Sequence, residues 1–185
     1  MFILLMMIKY LSVTTIDDPY MSFIKGLYMS AFPEKERRDW NQLLDMIENT
    51  PEMWLQLIEA DEQVIGFLVL WALEEWLFVE YFVIDPQHRG KNYGAQVMKE
   101  LTDLRPANLI LEVEPPESED AARRIHFYER NGLHCLPFDY LQPLYSNPEQ
   151  SYPMLLMSNA VEKEEACFTE VISLIKQHVY FKDSK

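Results

Sequence analysis

Apolar positions along the chain change period more than once, and each change predicts a different kind of element. Tyr10 to Thr15 is short and carries β-branched residues, which predicts a first strand. Asp18-Pro19 then supplies an N-cap followed by proline at the first helical position. Tyr20, Phe23, Ile24, Leu27 and Ala31 recur at helical spacing, so a helix is expected to about Ser30, with Pro33 breaking it. A second helix is expected from Glu34, with Trp40, Leu43, Leu44 and Ile47 on one face. From Met53 the pattern becomes extended. Met53 to Glu59, Val64 to Leu73 and Trp76 to Ile84 are apolar runs parted only by Asp61-Glu62 and Glu74-Glu75, breaks that fit antiparallel hairpins.

Helical spacing returns at Tyr93, Val97, Leu101 and Leu104, and Pro106 ends that helix. Leu109 to Val113 reads as a buried strand. Ser118 caps a further helix, Glu119 and Asp120 suit its positive end, and Gly132 closes it in the left-handed conformation. Leu133 to Phe138 and Tyr152 to Met157 read as strands, joined by a loop from Asp139 to Ser151 rich in Pro, Tyr and Asn. A last helix places Phe168, Val171, Ile172, Ile175 and Val179 on one face. Crossover helices around a strand that follows a meander imply an α/β (α+β) chain with a mixed sheet and helices on both faces. No internal repeat or linker interrupts it. The expectation is a single domain over 1–185, with a core from about 9 to 158 and an extra C-terminal helix from about 162 to 180.

Length supports one domain: 185 residues against about 150 per domain leaves little for a second. The formal net charge of −14 argues against nucleic acid and anionic membranes as partners, since both call for phosphate-neutralising cations. It favours cationic ligands instead. Cys135 and Cys167 are too few for a disulfide framework or a zinc site and read as reduced thiols of a cytoplasmic protein. The apolar start, Met1 to Ile8, is too short for a span and lacks the basic region of a signal peptide, so it reads as an edge strand or a tail.

Chemistry concentrates between Glu80 and Gly94. A wholly apolar strand ends at Asp85-Pro86, a helix begins near Asn92, and Gln87, His88, Arg89, Gly90 and Lys91 lie between. Consecutive backbone N–H groups, a helix N-terminus and two cations then surround one small volume, which suits a pyrophosphate. The chain has 5 glycines, and Gly90 and Gly94 are two of them. Lys91 is followed by Asn92 where a Walker loop needs Ser or Thr, and the loop follows a meander where a dinucleotide fingerprint needs a parallel unit.

Gln87, Gly90 and Asn92, followed by Tyr93-Gly94, resemble the acetyl-CoA signature of the GNAT superfamily of N-acetyltransferases, Gln/Arg-x-x-Gly-x-Gly/Ala. Asn92 stands where the pattern has Gly or Ala; asparagine adopts the left-handed conformation more readily than other non-glycine residues. The element order from Tyr10 to Met157 is similar to that of the family, and Phe127-Tyr128-Glu129-Arg130-Asn131-Gly132-Leu133 resembles its second signature. The resemblance implies a GNAT-like, mainly antiparallel sheet and acetyl-CoA as co-substrate, without a metal. It implies that Gln87 belongs to the coenzyme signature and that Phe82, Val83 and Ile84 offer backbone groups to the pantetheine arm. It also implies that Arg89, Gly90, Lys91, Asn92, Tyr93, Gly94 and Ala95 wrap the pyrophosphate. Tyr128 matches the tyrosine that protonates the departing thiolate, and Glu112 a general-base position of some members. The family's coenzyme-contacting Asn has no equivalent here, where Pro115-Pro116-Glu117 and Ser118 lengthen the turn.

The residues themselves also single out two carboxylates. Acetylation requires a neutral amine, and an alkyl ammonium of pKa about 10.4 must lose its proton first. Glu80 is the one charged residue between Trp76 and Ile84, and Glu112 interrupts Leu109 to Val113. An ionised carboxylate in a buried strand needs a polar cavity or a partner. Either is a candidate base, or it faces solvent, or it pairs with an arginine such as Arg123 or Arg124; Glu114 ranks below both. The four histidines show no metal spacing and no nucleophile pair, so direct attack in a ternary complex is expected. Ala31 to Arg38, and Gln142, Tyr145 and Asn147 in the late loop, are candidate acceptor contacts. The expected function is acetyl transfer from acetyl-CoA to a primary amine of a small molecule or peptide. The alternative is a non-catalytic acyl-CoA binding or sensing module, and a homodimer is compatible with either.

Overall fold

The computed structural model describes residues 8–160 and 162–181; most of the apolar start, residues 1–7, lies outside them. Strand β1 (Lys9–Val13) pairs antiparallel with β2 (Met53–Ala60), which continues through β3 (Gln63–Leu73) into β4 (Trp76–Ile84) as the expected meander. Asp61 and Glu62 both hold positive φ (50° and 62°), the arrangement that matches a two-residue turn to the strand twist. The remaining elements are α1 (Met21–Ala31), α2 (Trp40–Asn49), α3 (Tyr93–Leu104), β5 (Leu109–Val113), α4 (Glu119–Arg130), β6 (His134–Cys135), β7 (Tyr140–Leu144), β8 (Asn147–Ser158) and α5 (Glu165–Ile175). The sheet runs β1-β2-β3-β4-β5-β8-β6, with β7 paired to β8, and β4 with β5 is its parallel pair. It is the mixed sheet with helices on both faces that the patterning implies, and it is mainly antiparallel as the resemblance implies.

Local departures have local causes. Asp18 accepts from the Tyr20 amide (2.8 Å) and closes a turn of its own, so α1 starts at Met21. Glu34–Glu36 forms one 3₁₀ turn, the chain extends at Arg37, and α2 starts only where Asp39 caps it by accepting from Asn41 (2.9 Å). The late loop from Asp139 to Ser151 is mostly a hairpin of β7 and β8. Its prolines mask the strand pattern, yet Pro143, Pro148 and Pro153 all lie in a two-stranded ribbon beyond the β5 ladder, where a missing N–H is tolerated. The strand expected over Leu133 to Phe138 shrinks to His134–Cys135. Ser118 caps α4 through the Ala121 amide, and Gly132 (φ 87°) ends it, as expected.

Two cores sandwich the sheet. On one face α1, α2 and α5 pack Ile24, Tyr28, Leu43, Phe168 and Val171 against Phe67, Trp71 and Phe78. On the other, α3 and α4 pack Val97, Met98, Leu101 and Ile125 against Leu68, Leu77 and Leu111. Strand β4 changes its facing midway. Val79 pairs with Leu70 and Tyr81 with Val69, so Glu80 is an extra residue bulged against β3. Before it Trp76 and Phe78 enter the first core; after it Tyr81 and Val83 do. The ladder to β5 covers Leu77, Val79 and the residue between them, and then stops. Past the bulge, β4 and β5 part.

The segment beyond the bulge stays on β3 because Gly66 leaves room. A Cβ at Gly66 would lie 2.1 Å from the Val83 carbonyl oxygen. Gly66→Ala is expected to lower unfolding free energy by about 1–3 kcal/mol, the usual range for overpacking. Urea denaturation reads this directly; an unchanged midpoint would show that β3 and β4 tolerate separation here.

Candidate active site

Where β4 and β5 part, a cleft of about 1070 Å³ opens through the sheet. Both faces contribute to it. The second-core side brings the loop after β4, the start of α3 and one face of α4; the first-core side brings the end of α1, the 3₁₀ turn Glu34–Glu36 and the β7–β8 hairpin.

The loop is built by short-range chemistry. Asp85 accepts from the Gln87 amide (2.9 Å) and starts the turn Pro86–His88. Gly90 (φ 79°) and Asn92 (φ 64°) both take the left-handed conformation, so asparagine is one of the few residues that fit at 92. Asn92 then stands at the N-cap of α3 without offering its side chain to the first turn. The first N–H groups of α3 lack intrahelical acceptors by construction, and this end carries partial positive charge. Arg89, Gly90, Asn92, Tyr93, Gly94 and Ala95 line the cleft there, and Arg123, Arg124 and Arg130 add cations from α4. Two signature residues behave differently: Gln87 and Lys91 are exposed and stand outside the lining. The Tyr93 phenol is buried and donates to Asp61 (2.9 Å), tying α3 to the β2–β3 turn, so its backbone is what the loop presents. Phe82, Val83 and Ile84 also line the cleft, on the edge of β4 that no longer pairs with β5.

The two buried-strand glutamates meet opposite fates. Glu80 is 1% exposed and pairs with Arg38, itself 2% exposed, at 2.8 Å. Trp71 Nε1 (2.5 Å) and the Tyr145 hydroxyl (2.9 Å) also donate to Glu80. Arg38 donates further to the Val179 carbonyl (2.6 Å) and lies 4.5 Å from the Tyr145 ring centroid. Neither Arg123 nor Arg124 pairs with Glu80 or Glu112: Arg123 binds Asp120, and Arg124 binds Glu114. Both stand on α4, which packs on the other side of the sheet from the first core.

Glu112 points to the first-core side and accepts hydrogen bonds from Tyr140 on Oε1 and Tyr180 on Oε2 (2.5 Å for the latter). Burial pushes its carboxyl up to about 7, while the two phenol hydrogens pull the other way. Tyr128 comes from α4 on the opposite face and packs edge-on against Phe127 at 5.3 Å, and its phenol has no hydrogen-bond partner among the described residues. Burial pushes its phenol up to about 12, and Arg124 opposes the shift. Glu36 adds a third carboxyl. Its Oε1 is buried without a hydrogen bond, 3.3 Å from Lys35 Nζ, and burial followed by the Glu114 charge raises its pKa.

The candidate acceptor segments contribute unevenly. Ala31, Phe32 and Glu36 line the cleft, whereas Arg37 caps α1 through the Met29 carbonyl (2.9 Å) and Arg38 is spent on Glu80. Gln142 and Tyr145 line it and Asn147 does not. Sequence reasoning misses Arg38 as the partner of Glu80, and Tyr140 and Tyr180 as the partners of Glu112. A buried glutamate announces that it needs a partner, but only the fold says which residue arrives. Among the described residues, no group of His, Cys, Asp or Glu is placed to hold a metal ion, and no helix is long and apolar enough to cross a membrane.

Comparison with known proteins bears on the family and the fold. Residues 17–133 match the profile of the Acetyltransferase (GNAT) family. YjbC of Bacillus subtilis (strain 168), assigned as an acetyltransferase, is 24% identical over 163 residues, spanning 83% of this chain and 80% of that protein. A solved structure from Bacteroides thetaiotaomicron, assigned to the acetyltransferases of the GNAT family, superposes with a TM-score of 0.85 at 30% identity, covering 93% of this chain and 98% of that one. Spermidine N-acetyltransferase from Vibrio cholerae, solved with CoA and spermine, shares the fold at a TM-score of 0.59 and 12% identity, over 83% of this chain and 96% of that one.

Removing one partner of the Arg38–Glu80 pair leaves a buried charge uncompensated. Arg38→Leu and Glu80→Leu are each expected to lower stability by about 3–5 kcal/mol, and the double variant to recover part of that loss. Urea denaturation of all three checks it; fully additive single losses would show that the pair is not coupled.

Proposed function

The chain belongs to the GNAT family of acetyltransferases, and from that premise we propose that it moves an acetyl group from acetyl-CoA to a primary amine of a small molecule or peptide. One observation carries the reading. Glu112 and Tyr128 come from opposite faces of the sheet and line the same cleft, at the place where β4 and β5 part.

The residues fit the coenzyme's chemistry. The unpaired N–H groups at the start of α3 and the left-handed Gly90 and Asn92 form an anion cradle, with Arg89 and the α4 arginines as its cationic walls. The free edge of β4 from Phe82 to Ile84 presents backbone groups to an extended amide-bearing arm, as a sheet edge does to an added strand. Bound there, acetyl-CoA supplies an activated thioester. Glu112 accepts the proton of the incoming ammonium, so that a neutral amine faces the carbonyl carbon; a C–N bond forms and the C–S bond breaks. The nitrogen sheds a second proton as the amide forms. Tyr128, still protonated at neutral pH, donates to the departing sulfur and regains a proton from the one released. Glu80 supports this geometry without touching it, since its oxygens are engaged by Arg38, Trp71 and Tyr145.

Glu36, Glu112 and Glu114 line the acceptor side, and together with the net charge of −14 they favour a cationic acceptor. The Vibrio protein of the same fold was solved with spermine, an amine of that class.

Because the base must be ionised, kcat/KM is expected to rise about tenfold per pH unit below about 7, where Glu112 holds its proton, and to level above it. Glu112→Gln removes that limb and lowers kcat/KM about 10²–10⁴-fold, and Tyr128→Phe lowers kcat comparably while leaving the KM for acetyl-CoA nearly unchanged. Steady-state kinetics over an amine panel checks both; full activity in the two variants contradicts the mechanism. Acetyl-CoA at about 100 times its Kd is expected to stabilise the fold by about 2.7 kcal/mol. That stabilisation without turnover of any amine would instead favour a binding or sensing module.

A further inference from the structure

Glu112 owes its placement to two residues that lie outside the segment matching the family profile, residues 17–133. Tyr140 opens β7, and Tyr180 ends the C-terminal segment. Tyr180 reaches Glu112 from behind the cleft lining, on the segment where α5 stops being a regular helix. From Lys176 to Tyr180 the chain makes one π-helical turn, with the Phe181 amide bonded to the Lys176 carbonyl at 2.9 Å. Val179 keeps the core face that its helical spacing from Ile175 predicts, its carbonyl accepts from Arg38, and the Tyr180 phenol meets Glu112. The buried ion pair thus fixes the turn that delivers the phenol.

We propose that Tyr180 and Tyr140 are positioning residues for Glu112: two phenol hydrogens, one per carboxylate oxygen, hold the carboxylate toward the cleft and favour its ionised form, making the C-terminal segment part of the active site. The inference rests on Glu112 as the base. One donor per oxygen leaves the carboxylate free lone pairs for an incoming ammonium, because a carboxylate has about four acceptor positions. Glu80, by contrast, receives a guanidinium, an indole and a phenol.

The surroundings of Glu112 set the sign. Facing it are Glu80 from β4, Tyr140 from β7, Tyr145 from the β7–β8 turn, Tyr152 from β8, and Lys176 with Tyr180 from the C-terminal turn. Burial and the Glu80 charge favour the protonated carboxyl; the two phenols and Lys176 favour the carboxylate. Burial keeps both phenols protonated, so they act as donors at any ordinary pH. Removing either donor therefore raises the pH at which Glu112 ionises.

The test uses the full chain with Tyr180→Phe, Tyr140→Phe and the double variant, each checked for wild-type circular dichroism. Two quantities are read: the acid limb of kcat/KM, and the carbon-13 titration of the Glu112 carboxyl in the free enzyme, assigned by its loss in Glu112→Gln. Each single variant is expected to move both midpoints up by about half to one pH unit, the equivalent of one hydrogen bond. At one unit below the wild-type midpoint, kcat/KM falls about three- to tenfold, and much less at pH 9. A carboxyl titration unmoved in both variants overturns the proposal while leaving Glu112 as the base. A titration that moves without the kinetic limb overturns the base assignment, and with it any catalytic role for the two tyrosines.

Discussion

Strand β4 carries one residue more than its partner can pair, and the active-site architecture depends on that surplus. At Glu80 the backbone bulges, the alternation of side chains reverses, and the ladder to β5 ends. A sheet that stayed paired would present two closed faces and no passage between them. The bulge turns the parallel pair β4 and β5 into the two walls of a cleft. One side belongs to the face with α3 and α4 and carries unpaired backbone N–H groups and arginines; the other belongs to the face with α1, α2 and the late hairpin and carries carboxylates. The acidic chain is thus divided by its own sheet into regions of opposite local charge.

Two glutamates in neighbouring strands show how environment assigns roles. Glu80 sits in the bulge, where Arg38, Trp71 and Tyr145 donate to it, and a desolvated carboxylate held by three donors is a structural anchor. Its partner Arg38 ties together the α1–α2 connection, β4 and the C-terminal turn through Val179. Glu112 meets no guanidinium. Burial raises its proton affinity into the neutral range, where a base can both take and release a proton. The same residue type in the same kind of buried strand is thus ion-paired in one place and, in the other, free of a guanidinium and aimed at by two phenols.

Much of this was legible in the sequence, for physical reasons that differ by element. The meander, α3, α4 and β5 rest on strong local signals: unbroken apolar runs, the Ser118 cap, Gly132 after the helix. The loop from Asp85 to Ala95 was readable because its chemistry is local, and Asn92 adopts the left-handed backbone its composition favours. Strand β7 and the start of β8 were not, because proline-rich ribbon strands lack the alternation that half-buried strands show; only the β8 half from Tyr152 to Met157 was. Nor were the partners of Glu80 and Glu112. Arg38 and Glu80 are 42 residues apart, Tyr180 and Glu112 68 apart, and no periodicity encodes such meetings. Gln87 and Lys91 show the converse: a motif names positions, while the fold decides which side chains line the cleft, and these two stand outside it.

The central claim is that the parting of β4 from β5 is the coenzyme's seat. Hydrogen–deuterium exchange with and without acetyl-CoA reads it at the backbone amides themselves. Protection is expected at the β4 amides beyond Glu80 that pair with neither neighbour, and at Gly90 to Ala95 where α3 begins. Unchanged exchange at both, with protection elsewhere or none at all, would contradict the account.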